Sequence, residues 1–238
     1  MSQTVQNITL AGLIWSFVPA LVVVGILFRW SLNYRTPLYA LARMLVQLLL
    51  VGYVLTFVFA ASHAAIVLLV LGVMLGAAGL IALHPVGRKR PQLYPRAFAA
   101  IALAGIPVLA LVCFLVLDLK PWYLPHYVVP LAGMTFAGSM TAVSLAAERF
   151  EVECSRGESY AGARAAAFRT ALIPLVNSLL AVGLVALPGT MTGQILSGVS
   201  PLIAVKYQIV VLCMIFGASG IAAALYLQFM KSTRPTVE

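Results

Sequence analysis

The sequence has few charged residues. Only 9 % of its 238 residues are Asp, Glu, Lys or Arg, and 6 of these are acidic, whereas about 25 % of an average soluble domain is charged. Hydrophobic residues make up 63 % of the chain. A soluble fold of this length could not hydrate such a surface, so the composition excludes a soluble protein and indicates a membrane protein.

The sequence also lacks the motifs of several kinds of functional site. Its 3 cysteines form no closely spaced pair, which excludes a CxxC metal site and a disulfide framework. It has no GxxxxGK[ST] run for nucleotide binding, and no Ser–His–Asp order, nucleophile elbow or paired carboxylate stands near a concave site that can be inferred from the sequence. We therefore expect a protein that is not an enzyme, with no catalytic residue, no assigned metal ligand and no cofactor of its own.

The basic residues are distributed unevenly along the chain. Of 15 Lys and Arg, 13 lie in four short clusters between long apolar runs, and the other two are Lys120 and Lys206. Basic loops stay on the cytoplasmic side during membrane insertion, so we predict that all four clusters are cytoplasmic. No cluster is interleaved with stacking aromatics, so we expect anionic membrane lipids as partners and no nucleic acid. The clusters are Arg29/Arg35/Arg43, Arg88/Lys89/Arg90/Arg96, Arg149/Arg156/Arg164/Arg169 and Lys231/Arg234.

Seven apolar runs approach the length of a membrane span. A helix needs about 20 residues to cross about 30 Å of hydrocarbon, and a helix satisfies its own backbone groups there. Seven crossings that start outside place every basic cluster inside. The sequence thus predicts an all-α integral membrane protein, one transmembrane domain over residues 1–238, with its N-terminus outside and its C-terminus cytoplasmic. The predicted spans lie near residues 8–28, 44–60, 64–83, 97–117, 128–147, 171–187 and 207–230.

Small residues recur at a spacing of four in two of these spans. The third span contains Gly72 and Gly76, and the fifth contains two such stripes. This spacing lets helix backbones approach closely. The stripes are explained either by packing within the chain or by a subunit interface or substrate path. The fifth-span stripes are Gly133/Ala137/Thr141 and Gly138/Ala142/Ala146.

The longest polar stretch is the predicted cytoplasmic loop over residues 148–170. We predict that the fifth-span helix continues to about Arg156, that Gly157 ends it in a left-handed conformation, and that a second helix starts after Ser159. The loop is explained either by a solvated helical hairpin or by a coupling element that docks on a cytoplasmic protein. The candidate docking residues are Glu148, Glu151, Arg156 and Gly157.

The predicted spans contain no Asp, Glu, Lys or Arg near their centres. Ion-coupled transporters usually carry an ionisable group at membrane depth, because a movable charge couples transport to the gradient. A transporter without such a group and without a P-loop takes its energy from a partner, or it is passive.

Several motifs resemble one family. The sequence LPGTMTGQILSG at 187–198 is followed by Pro201 and by KYQI at 206–209, and PLAGM at 130–134 and ALIP at 171–174 precede it. These motifs resemble the FetB family of iron-export permeases. Glu151, followed after five residues by Gly157, is similar to the loop by which permease subunits of ABC transporters seat on their ATPases.

The resemblance implies a multi-pass permease of the cell inner (plasma) membrane. Such a permease forms a homodimer, pairs with a separate ABC ATPase that holds ATP and Mg, and exports iron or another metal ion. The alternative from another class is a passive channel or membrane scaffold with no ATPase partner. The motif positions assigned to the gate or to structure are Pro130, Gly133, Pro188, Gly189, Gly193, Gly198, Pro201, Tyr207 and Gln208.

The outer segment, residues 188–206, is mostly apolar or small and contains three glycines. Non-helical backbone at membrane depth must be covered by protein. We therefore predict a gate, built as a short helix or re-entrant turn, whose glycines approach Pro130–Met134. The alternative is an interfacial amphipathic helix that caps the bundle.

The candidate substrate path offers thioether, hydroxyl and amide groups but no carboxylate. Thioether sulfur suits Cu(I) better than iron, so iron would make weak, transient contacts here or pass as a chelate. The alternative is that the methionines only fill gaps in the helix bundle. The path residues are Met134, Met140, Met191, Thr192 and Gln194.

The orientation predicts which terminus is accessible from outside. In intact cells, a membrane-impermeant thiol reagent should label Gln3→Cys but should label Thr236→Cys only after permeabilisation. The unmodified chain gives the background from its own cysteines. Labelling of both variants, or of Thr236→Cys alone, would show that the predicted topology is wrong.

Overall fold

The computed structural model describes residues 8–60 and 63–231, apart from the side chains of residues 88–90. This part of the chain forms nine α-helices and no β-sheet. The chain divides into two compact units, residues 1–61 and residues 62–238. The helices are α1 Leu10–Ser16, α2 Val18–Arg29, α3 Arg35–Ala60, α4 Ala64–Ala82, α5 Arg90–Leu111, α6 Pro125–Ser155, α7 Tyr160–Ala181, α8 Gly189–Leu196 and α9 Pro201–Lys231.

The first unit consists of α1, α2 and α3. The Thr9 hydroxyl caps α1 by accepting a hydrogen bond from the Gly12 amide at 3.2 Å. The helix is interrupted at Phe17, just before Pro19, because proline has no amide hydrogen to continue the helical ladder. In α3 the buried side chain is Val58. Most apolar side chains in the described part of this unit are exposed, as expected for helices in contact with hydrocarbon.

The second unit is built around α6 and α9. Both helices have 31 residues, about 46 Å of helix, and they bury most of their small residues against each other and their neighbours. A 3₁₀ segment at His84–Lys89 joins α4 to α5, and a π-helical turn at Val112–Val116 ends α5. Gly79 of α4 lies against Phe98 of α5, where an added Cβ would be 3.4 Å from the Phe98 backbone.

One of the two predicted small-residue stripes in α6 packs within the chain. A Cβ added at Gly138 would lie 2.7 Å from the Ser219 hydroxyl oxygen and 2.9 Å from Cγ2 of Ile215, both on α9. Ala142 and Ala146 continue this buried face. Small residues therefore set the close approach of α6 and α9.

The all-α membrane class is confirmed. Six helical segments of the described chain are long and apolar enough to cross a membrane. They correspond to six of the seven predicted spans. The first is formed by α1 with α2, the third has nearly its predicted bounds, and the other four are longer than predicted because their helices continue past the apolar run. The segments are Leu10–Arg29, Arg35–Ala60, Ala64–Ala82, Pro91–Val116, Pro125–Ser155 and Pro201–Lys231.

The predicted sixth span, 171–187, differs most from the structure. Its helix, α7, starts earlier at Tyr160 and ends at Ala181, and Gly183 then adopts a positive φ of 80° in a turn. The first half of α7 carries Arg164 and Arg169, so α7 is not among the six segments. Seven crossings and the orientation of the termini remain predictions, and Gln3, Arg234 and Thr236 lie outside the described residues.

The close approach of α6 and α9 predicts a steric cost for any side chain at Gly138. Gly138→Ala should lower the free energy of unfolding by about 1–3 kcal/mol, because its methyl group overlaps Ser219 and Ile215. Unfolding of the purified protein in detergent micelles, followed by circular dichroism, measures this change.

Gly217 provides the matched control for this substitution. It lies in α9 with no atom within 4 Å of an added Cβ. Gly217→Ala should therefore leave stability unchanged or raise it by up to about 1 kcal/mol, the difference in helix propensity. Equal effects of the two substitutions would contradict a tight α6–α9 contact.

Candidate functional site

The hairpin between α6 and α7 has the predicted local structure. Gly157 has a φ of 83°, and its amide donates to the Cys154 carbonyl at 3.2 Å, while the Glu158 amide donates to Glu153 at 3.1 Å. This pair of bonds is the Schellman motif, which favours glycine at the left-handed position. The Ser159 hydroxyl then caps α7 by accepting from the Gly162 amide at 3.1 Å. The predicted stop at Gly157 and the start after Ser159 are both confirmed.

Tyr160, the first residue of α7, joins the hairpin to α9. Its hydroxyl donates a hydrogen bond to the Leu227 carbonyl at 2.9 Å. Its ring meets Phe150 of α6 edge to face at 6.0 Å, and the Arg164 guanidinium lies 5.5 Å from the ring centre. The Tyr160 side chain of α7 thus contacts α6 through its ring and α9 through its hydroxyl. The sequence pattern did not predict these contacts.

The candidate docking residues lie on the outside of this hairpin. Glu148, Arg156 and Gly157 are exposed, whereas Glu151 is half-buried. Oε1 of Glu153 forms an ion pair with the Arg149 guanidinium and a longer one, at 3.6 Å, with the Arg156 guanidinium. The exposed surface of the hairpin therefore carries charges of both signs.

The outer segment forms a short helix and a tight turn. The Thr192 hydroxyl of α8 donates to the Pro188 carbonyl at 3.1 Å. Gly198 has a φ of 91°, and its amide and that of Val199 donate to the Ile195 and Gln194 carbonyls, each at 3.0 Å. The segment is thus a helix, a Schellman turn and the start of α9. This fits the predicted short helix.

One side-chain hydrogen bond ties α8 to α9. The Thr190 hydroxyl lies 2.6 Å from Oε1 of Gln208, to which it donates. Gln208 is only 5 % exposed. Tyr207 is half-buried beside it, and Pro201 begins the helix in an exposed position. The sequence pattern pointed to Gln208 but not to Thr190 as its partner.

An apolar cavity of about 210 Å³ lies where the end of α7 and the start of α8 meet α9. Of the described residues that line it, Gln208 has the only polar side chain. The lining residues are Val182, Gly183, Leu187, Pro188, Met191, Val205, Gln208, Ile209 and Leu212.

One of the five predicted substrate-path residues lines this cavity, and their role in transport stays a prediction. Met191 lines the cavity, but Met134 and Met140 do not. Both are half-buried on α6, six residues apart and so on different sides of the helix. Within the described ranges, no group of three or more His, Cys, Asp or Glu residues could hold a metal ion.

The predicted approach of the outer glycines to Pro130–Met134 is wrong. Nothing lies within 4 Å of a Cβ added at Gly189, Gly193 or Gly198, whereas one added at Gly133 would meet the Met74 methyl of α4 at 3.2 Å. Pro130 itself is exposed on α6. The glycines of this segment serve the turn at Gly198 and leave space around α8.

Five polar side-chain atoms of the described residues are buried without a hydrogen-bond partner. They are Oε1 of Gln194, Nε of Arg149 and the hydroxyl oxygens of Ser139, Ser219 and Tyr226. Buried polar groups are usually paired, so these atoms mark places where another conformation or a ligand can contribute a partner.

Comparison with known proteins shows a match along nearly the whole chain. The model of an uncharacterised protein family, UPF0014, matches residues 10–234. A UPF0014 membrane protein of Synechocystis is 35 % identical over an alignment of 229 positions that covers 86 % of this chain and 88 % of that protein. The rice UPF0014 membrane protein STAR2 is 33 % identical over an alignment of 205 positions that covers 79 % of this chain and 70 % of that protein.

A relative from Escherichia coli carries a functional name. It is called a probable iron export permease protein, FetB, and is 33 % identical over an alignment of 237 positions that covers 89 % of this chain and 88 % of that protein. No solved structure matches the chain.

Proposed function

The chain belongs to the UPF0014 family, and from this membership and the geometry above we propose that it is the permease subunit of an ABC-type exporter. In this proposal it exports iron or another metal ion, forms a homodimer in the cell inner membrane, and pairs with a separate ATPase. ATP and Mg belong to that ATPase. The observation that carries the proposal is the hairpin at Gly157, whose exposed polar surface is tied to α9.

The hairpin has the features that a docking element requires. A partner that moves it must push on a rigid body, and the Schellman turn, the Ser159 cap and the packed Tyr160 ring make it rigid. Its exposed residues Glu148 and Arg156 offer charges of both signs to a partner surface.

Movement of the hairpin would reach the outer end of the protein through α9. The Tyr160 hydroxyl bonds to Leu227, and Thr190 of α8 bonds to Gln208. These two α9 residues are 19 positions apart, about 28 Å of helix, close to the thickness of the hydrocarbon core. α9 contains no proline after Pro201, so it is one continuous helix between the two contacts.

In the proposed topology, α7 is the remaining crossing. Its neighbours on α9 run in the opposite order: Tyr160 contacts Leu227, Cδ2 of Leu172 would lie 3.7 Å from a Cβ added at Gly220, and Val182 shares the cavity with Gln208. The 22 residues of α7 make about 33 Å of helix, and its arginines lie towards the cytoplasmic end, where long side chains reach the interface. This arrangement supports seven crossings and a cytoplasmic C-terminus.

Reconstitution tests the function directly. The purified chain and its ATPase are placed in liposomes, and hydrolysis is measured while metal ions and organic solutes are varied. Export of iron or another metal should stimulate hydrolysis and accumulate that ion on the side opposite ATP. Flux without ATP would contradict the proposal and indicate the passive channel instead.

The coupling role of the hairpin predicts a loss of transport without a loss of protein. Gly157→Val should strain the left-handed turn by about 1–2 kcal/mol, although nothing lies within 4 Å of the new Cβ. ATP-driven export in liposomes should fall strongly, while the amount of protein in the membrane stays normal. Full export by Gly157→Val would contradict coupling through this hairpin.

Two variants at Tyr160 refine that experiment. Tyr160→Phe keeps the ring contact with Phe150 but removes the hydroxyl that donates to Leu227. If the hydrogen bond transmits movement, this variant should still bind the ATPase but export less per ATP hydrolysed. Ser155→Ala, which removes an exposed local hydroxyl that bonds to Val152, is the matched control and should not alter the ratio.

The gate role of the outer segment predicts a second pair of defects. Gln194→Leu and Gly193→Val should abolish export, because the first removes the buried amide oxygen and the second stiffens the centre of α8. The packing leaves room for a Cβ at Gly193, since no atom of another element lies within 4 Å of it. Protein level and dimerisation should stay normal. Unchanged export in both variants would favour the alternative, an interfacial amphipathic helix that caps the bundle, over the gate.

A further inference from the structure

We propose that the cavity between α7, α8 and α9 is a binding site for one phospholipid molecule, with an acyl chain in the cavity and an anionic headgroup at Lys206. The proposal goes beyond transport, since it concerns a bound lipid and needs neither an ATPase nor a transported ion.

The lining of the cavity has the chemistry of a hydrocarbon site. Eight of its nine lining residues are apolar or glycine, and the ninth is Gln208. Two lining residues at its mouth, Leu187 and Ile209, are 64 % and 56 % exposed, so the cavity opens at the side of the bundle rather than into its core. A cavity with this lining at the side of a membrane helix favours an apolar chain over water or an ion.

Lys206 places a positive charge beside the cavity. Its side chain is exposed, and it lies three residues before the lining residue Ile209, a spacing at which side chains on a helix are neighbours. Gln208 lines the cavity from the other side of the helix, and Leu212 lies about 9 Å from Lys206 along the helix axis. A lipid with its phosphate at Lys206 therefore passes Ile209 and places an acyl chain against the apolar wall.

The side-chain amide of Gln208 can donate hydrogen bonds to such a ligand. Its Oε1 accepts the hydrogen bond from Thr190 at 2.6 Å, which leaves the two N–H donors of the amide for an acceptor. A lipid ester carbonyl is an acceptor without a donor, so it matches this group. Lys206, in turn, is attracted to an anionic phosphate, since basic residues near the membrane surface bind anionic lipids.

Photo-crosslinking of the full chain tests the site. The purified protein is placed in phosphatidylcholine nanodiscs with phosphatidylglycerol that carries a diazirine in its acyl chain, and labelled residues are identified by mass spectrometry. We expect labelling to concentrate on cavity residues such as Met191 and Leu212. Equal labelling of all lipid-facing apolar residues, including Leu202 of the same helix, would overturn the proposal.

Variants separate the acyl site from the headgroup site. Ile209→Trp fills the cavity and should reduce labelling of Leu212 severalfold, whereas Leu202→Trp is the matched control. Leu202 is 77 % exposed on α9 and does not line the cavity, so its variant should leave labelling unchanged. If Ile209→Trp did not reduce the labelling of Leu212, this result would contradict an acyl chain in the cavity.

Lys206→Gln changes an exposed side chain, so this variant should fold like the unmodified chain. It should weaken phosphatidylglycerol binding about fivefold, the factor expected for one basic residue near an anionic headgroup, and leave phosphatidylcholine binding unchanged. Native mass spectrometry counts the retained lipids. Equal retention of phosphatidylglycerol by this variant and the unmodified chain would overturn the headgroup site.

Discussion

Hydrocarbon offers no hydrogen-bond partner to a peptide group, and this constraint determines where the chain can turn. The described chain meets it with helices, and at Gly157 and Gly198, outside the six long apolar segments, Schellman turns pair the last carbonyls of a helix with the next amides. Both positions have a positive φ, so glycine is favoured. The two turns define the ends of the proposed functional unit, one at the hairpin and one at the outer segment.

The two ends differ in how firmly they are held to α9. Along α6 the contact is continuous and so close that Gly138 leaves no room for a methyl group. The short helix α8 is tied by one side-chain hydrogen bond, Thr190 to Gln208, which contributes about 1 kcal/mol. A rearrangement of this unit therefore costs least at α8, and the α6–α9 pair acts as the frame against which α8 can move.

Features with a local signal could be predicted from the sequence. The hairpin was predictable because glycine marks a left-handed stop and serine marks a helix start. The end of α7 was missed because residues 182–187 are as apolar as a span, although Gly183 signalled a turn. The bond between Thr190 and Gln208 and the cavity could not be predicted, since they join segments through tertiary packing. The methionines were grouped by chemistry, but the helical phase separates Met134 from Met140.

The chemistry of the outer end explains why the proposed exporter needs a partner to supply energy. Apart from Lys206, the polar and sulfur-containing side chains of the outer segment are an amide, hydroxyls and a thioether, and the described residues include no cluster of His, Cys, Asp or Glu that could hold a metal ion. Such neutral groups bind a hard cation weakly, and weak binding allows release. It also gives no direction to transport. Direction must therefore come from a cycle of shape changes, and α9 is the described element that contacts both the hairpin and α8.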